Sequence, residues 1–269
     1  MSSLSISAAW DESRAILVRE GRLFAAVALA LIVLPEVVLA VVGAPVGPQA
    51  TEVAKLIYAA VVLLGFVGQL ALNRLAIGPS VTVGGAIARG FARFPSVLAV
   101  LVMLSLAIVV VGVLLLMILG AAHLVTVPTP GQPPPLSLIA MLILLVALAF
   151  AIFQLSFPLA AVETGNPFRL ISRSWHLAKG QYPRLLAFVV IIFFCFGLVV
   201  VVSQFAVGSV VKLLLGQPDP GSLSALVLGL AVGVIQAPFT VIAATMLARI
   251  YVQLAGRGEP QASVPSSGT

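Results

Sequence analysis

Apolar residues come in six long runs, roughly 23–42, 53–75, 96–119, 136–161, 185–207 and 222–247, parted by short polar or Pro-marked stretches. About 20 consecutive apolar residues cross the hydrocarbon core as a helix, so each run is long enough to span a membrane. None alternates residue by residue, which excludes the strands of a transmembrane barrel. The pattern predicts an all-α, polytopic membrane protein. Six transmembrane helices are joined by short amphipathic helices at the cytoplasmic surface.

A second period lies between the runs. In 167–180, Phe168, Ile171, Trp175 and Ala178 follow helical spacing on one face, with Arg169, Ser172, Arg173, His176 and Lys179 opposite. Asn166 suits the cap, Pro167 the first helical position and Gly180 the stop. Such a helix is expected to lie in the membrane interface, aromatic side down. The 80–94 stretch repeats the pattern with Val83, Ile87, Phe91 and Phe94 as the stripe and Arg89 and Arg93 one turn apart. Gly84, Gly85 and Gly90 lower its helix propensity. Arg169, Arg173, Trp175, Lys179, Arg89 and Arg93 are therefore the expected lipid-surface residues.

These two stretches belong to longer similar units. Residues 68–100 and 153–188 each run from a span glutamine through a Pro-marked turn and a basic stretch to an aromatic–proline pair, Phe94–Pro95 or Tyr182–Pro183. The N-terminal segment and Gln236 of the last run echo them more faintly. The expected unit is a surface helix, a span out and a span back, over about 5–75, 79–161 and 166–250. The domain is expected to cover 1–254, with 255–269 a disordered cytoplasmic tail and the proline-rich 127–135 an external connector.

Charge then sets orientation. Only 8% of the chain is charged, and the net charge is +6. Of 14 cations, only Lys55 and Lys212 fall in the connections after odd-numbered spans; the other twelve lie in the alternate segments. That asymmetry predicts a bacterial inner-membrane protein with both termini in the cytoplasm. It also accounts for the basic balance without nucleic acid, which would need a patch on a folded soluble face.

Candidate chemistry is sparse. The chain has no GxSxG, HExxH, P-loop or CxxC motif, and its single cysteine, Cys195, is expected to be buried and inert. His123 and His176 are expected on opposite membrane sides, so no metal site and no cofactor is expected, nor enzymatic activity. Glu36, directly after Pro35, is the sharpest intramembrane residue: it snorkels to the outer headgroups, couples a substrate or proton, or bonds another helix. Gln69, Gln154 and Gln236 occupy matching positions in the returning spans. They either fix helix packing or line a polar pocket. Ala225, Gly229, Gly233 and Ala237 form a small-residue run that serves packing within the chain or a homodimer. Glu163 is expected beside the 167–180 helix, favouring its dipole or pairing with Arg169.

The stretch from 158 to 188 resembles the membrane domain found ahead of some bacterial glycerophosphoryl diester phosphodiesterases. The residues that carry it are Glu163, Pro167, Leu170, Ser174–Trp175 and Lys179–Gly180. The resemblance implies a six-span inner-membrane domain without the catalytic barrel. The leading expectation is a non-enzymatic protein that organises or handles membrane lipid. A small-solute or lipid transporter and a membrane scaffold for a partner protein are the alternatives.

Overall fold

The computed structural model describes residues 5–43, 51–77, 81–121, 136–163 and 165–256. The proline-rich connector, His123 and the tail beyond 256 lie outside the described residues. Eight α-helices are present among those described: α1 (Ile6–Ala28), α2 (Leu34–Val42), α3 (Glu52–Ile77), α4 (Val83–Ala121), α5 (Leu136–Val162), α6 (Pro167–Ala178), α7 (Tyr182–Leu215) and α8 (Leu223–Ala255). Six helical stretches are long and apolar enough to cross a membrane, and the chain is an all-α polytopic protein.

Local chemistry explains where the helices start and stop. Ser5, Asn166 and Ser222 cap α1, α6 and α8 by accepting hydrogen bonds from first-turn N–H groups. Gly43 and Gly216 close α2 and α7 at φ +83° and +85°, a region costly for residues with a Cβ. Between α1 and α2 the helix widens into a π-helical turn, Leu29–Val33, in which the Leu34 N–H donates to the Leu29 carbonyl. Pro35 follows at once. It has no N–H to donate, and the wider turn relieves its clash with the preceding turn.

The surface helices differ from expectation in their connection to the spans. The N-terminal one runs straight into span one, marked only by a non-helical Glu20 (φ −119°, ψ 15°). The 80–94 stretch is the first part of α4, a helix of 39 residues with Pro95 inside it. At 1.5 Å per residue α4 is about 58 Å long, well beyond a hydrocarbon core of roughly 30 Å. Only α6 stands apart from its span.

The buried core sits toward the α6 end of the bundle. One cluster gathers Leu70, Val97, Leu155, Leu170, Leu185 and Ile250 from six helices. The other packs Phe24, Val27, Leu72 and Ala244 around α1, α3 and α8. Beyond about residue 101 in α4 and 190 in α7 the apolar side chains are mostly exposed, as lipid-facing surface must be. Cys195 is on that outer surface rather than buried, because its turn of α7 faces away from the other helices.

Gly229 and Gly233 face α2 of the same chain. A Cβ on Gly229 would lie 2.6 Å from Ala40 Cβ, and one on Gly233 would lie 3.2 Å from Val33 Cα. The small-residue run is thus filled from within the chain, and these two glycines offer no surface to a second copy.

Candidate functional site

Helix α6 has three faces rather than two. Leu170, Ser174, Leu177 and Ala178 are buried against the bundle, with Leu170 fully enclosed. Phe168 and Trp175 stay 70% and 50% exposed. Arg169, Arg173 and His176 follow a third, exposed edge. The expected apolar stripe therefore holds for the exposed aromatics but misses the buried face. Leu170 and Leu177 sit a full 7 residues apart, and Ser174, small and polar, completes the contact. Lys179 lies past the last turn, with ψ 127°, and is not part of the cationic helix face.

Glu163 pairs with Arg173 (3.5 Å), not with Arg169. Its other oxygen accepts a 2.6 Å hydrogen bond from the Tyr251 hydroxyl. A short bond to a carboxylate is a strong one. It ties the α5–α6 connection to α8, 88 residues away in sequence.

Arg93 is half-buried while Arg89 stays exposed, and both also contact other parts of the chain. The Arg89 Nε donates to the Ala161 carbonyl at 3.4 Å, in the last turn of α5. Arg249 does the same for α3, donating to the Ala76 carbonyl at 3.0 Å. Cations at helix C-termini satisfy carbonyls that lack intrahelical donors and complement the dipole. The Arg93 guanidinium lies against Gly165, in the space a Cβ there would take. A carboxylate, Glu12, stands 3.9 Å from Arg249 and brings the first helix to the last.

Four residues were expected to make an intramembrane polar site, and the structure brings two of them together. Gln69 of α3 and Gln154 of α5 line one cavity of about 300 Å³ between α3, α5, α7 and α8. Seven phenylalanines surround it, among them Phe66, Phe153 and Phe157, whose rings meet at 5.1–6.0 Å. Thr240 of α8 is its third polar residue. The Thr240 hydroxyl donates to the Gln236 carbonyl at 3.3 Å, but Gln236 itself is not in the wall. Glu36 lies elsewhere, on the α2 face against Gly229 and Gly233, and makes no side-chain hydrogen bond or ion pair among the described residues. Gln236 and Glu36 therefore do not join the glutamine site: Gln236 lies one turn beyond Thr240 on α8, and Glu36 meets α8 further along, at Gly229 and Gly233.

The aromatic wall was missed in the sequence although its signal was there. Phe150, Phe153 and Phe157 recur at helical spacing along one side of α5. Tyr251 and Arg249 gave no such signal, since their roles depend on partners distant in sequence.

No curated protein and no solved structure matches the chain. A family model does match, over residues 4–254, from the first helix to the end of α8. The chain belongs to the family described as Domain of unknown function (DUF7847).

Proposed function

We propose that the protein is a non-enzymatic membrane protein that organises or handles lipid at one leaflet. The observation that carries this reading is α6: docked on the bundle by Leu170 and Leu177, it leaves Phe168 and Trp175 exposed beside a cationic edge. A fixed helix with free aromatics and cations places rings at the headgroup level and charge toward anionic lipid. The cation asymmetry puts this leaflet on the cytoplasmic side of a bacterial inner membrane. The likeness of 158–188 to the membrane domains of glycerophosphoryl diester phosphodiesterases points to the same lipid setting. A lipid or small-solute transporter is the second reading, favoured by two amides at membrane depth in one cavity.

The test uses the full chain in lipid discs of mixed anionic and neutral lipid. Arg169→Gln with Lys179→Gln should lower anionic enrichment around the protein by more than tenfold, from about fivefold per cation. Raising salt should have the same effect in the unsubstituted protein. Enrichment that ignores both salt and these cations would defeat the reading.

A further inference from the structure

The cavity between α3, α5, α7 and α8 has a chemical inconsistency that a bound ligand would resolve. Its wall is almost wholly apolar, yet it displays the Gln69 and Gln154 side-chain amides, neither of which hydrogen-bonds any described residue. Pro158 adds to this, since it has no N–H to give the Gln154 carbonyl one turn back. In a bilayer no water takes up such groups, and each one left bare is costly. Gln69 lies 8 residues before the end of α3 at Ile77, and Gln154 lies 8 before the end of α5 at Val162. Both amides are thus about 12 Å along the helix from its end, by the 1.5 Å rise. The interfacial layer is roughly 6 Å deep on each side of the hydrocarbon. The amides stand just inside the boundary, within reach of the ester carbonyls of a leaflet lipid.

The α6 end of the bundle, beyond the cavity, supplies the next piece. Arg184 is 4 residues before the cavity residue Phe188 on α7, hence on the same face and about 6 Å nearer the α6 end. It is exposed, and its only described side-chain bond is a 3.4 Å contact from its Nη1 to Gln181 Oε1. Glu163, an acid at this end of the bundle, is already engaged by Tyr251 and Arg173.

We infer that this cavity is a binding site for one anionic glycerophospholipid. An acyl chain lies among the phenylalanines, its ester carbonyl accepts from the Gln69 and Gln154 amides, and its phosphate faces Arg184. The inference rests on the lipid-handling reading and names the site and the ligand class within it.

Full-length protein in mild detergent is equilibrated with equal phosphatidylglycerol and phosphatidylcholine of identical chains, washed, and weighed by native mass spectrometry. One retained phosphatidylglycerol per chain is expected, preferred by about fivefold. Gln69→Leu with Gln154→Leu should reduce retention at least about tenfold, through two lost hydrogen bonds. Gly65→Leu fills the cavity from a position where a Cβ meets nothing within 4 Å, so it should block the lipid without disturbing the fold. Arg184→Gln should keep the lipid but erase the headgroup preference. Retention unchanged in both cavity variants overturns the site, and a retained mass other than a glycerophospholipid overturns the ligand. Salt-dependent enrichment lost with Arg169 and Lys179 while the cavity variants change nothing would leave the lipid-handling reading standing alone.

Discussion

Residues 83–100 and 167–189 start from similar sequence patterns and end as different structures. The first is one unbroken stretch of α4; the second is α6, a turn at Lys179–Gln181, and the start of α7. Aligned on Pro95 and Pro183, the turn glycine Gly180, at φ +82°, stands opposite Ala92. A Cβ disfavours the left-handed region, so the chain at Ala92 stays helical and Pro95 is carried inside the helix. Pro183 falls instead in the first turn of α7, where a missing N–H costs nothing. One residue type at one position thus decides whether a basic amphipathic stretch is a separate surface helix or an extension of a span. The cations follow. In α4, Arg89 and Arg93 each touch the α5–α6 end of the bundle, Arg89 while staying exposed, whereas the exposed Arg169 on α6 makes no side-chain hydrogen bond or ion pair among the described residues.

The largest effect is expected where α6 docks. Leu170→Ala should destabilise the protein by about 3 kcal/mol, as a fully buried leucine does, while Trp175→Ala should stay within about 0.5 kcal/mol. Unfolding in mixed micelles measures both, and equal losses would mean that the exposed and buried faces are misassigned. In the other segment the sensitive position is Gly90, where a Cβ would lie 2.8 Å from the Val67 carbonyl. Gly90→Ala must push α4 off α3, at about 2 kcal/mol in the same assay. A neutral result would show that the two helices have room to spare.

Next comes the tie beneath α6. Glu163→Gln should cost about 1.5 kcal/mol, mostly through the Tyr251 bond, because the partly exposed Arg173 pair adds little. A double-mutant cycle with Tyr251→Phe should show clear non-additivity. Additive losses would place the two groups apart. The smallest effect tests the turn itself. Gly180→Ala meets no neighbour within 4 Å, so only backbone strain of about 1 kcal/mol is expected. Spin labels on α6 and α7 should then report a changed angle between them, and an unchanged angle would remove Gly180 as the cause of the break.

Much of the fold was legible because a membrane leaves a coarse signal: six apolar runs correspond to six spanning helices. Asn166 and Pro167 marked the start of α6 correctly, since caps act through neighbours in sequence. The candidate site was legible only in part. Gln69 and Gln154 could be paired from their matching positions, and they do share a cavity. The faces of α6 could not be read from hydropathy alone, because bundle and lipid both accept apolar side chains. Leu170 and Phe168 differ in what covers them, not in polarity. Arg89 is an exposed cation as its sequence suggests, but nothing local reveals that it also reaches the α5 carbonyl at Ala161.

The widened turn at Leu29–Val33 behaves as a one-residue insertion stored inside the first span. Each residue added to or removed from a helix rotates everything beyond it by about 100°. Removing one residue from this turn would let the helix run on in ordinary α register with the Val33–Ala40 face left in place, whereas removing one from the α-helical stretch before it would swing that face about a quarter-turn away. The glycines of α8 would then meet different side chains, and Glu36 would be re-aimed as well. The close seam between the first and last helices is therefore a matter of phase, set by the turn that leads into the contacts that use it.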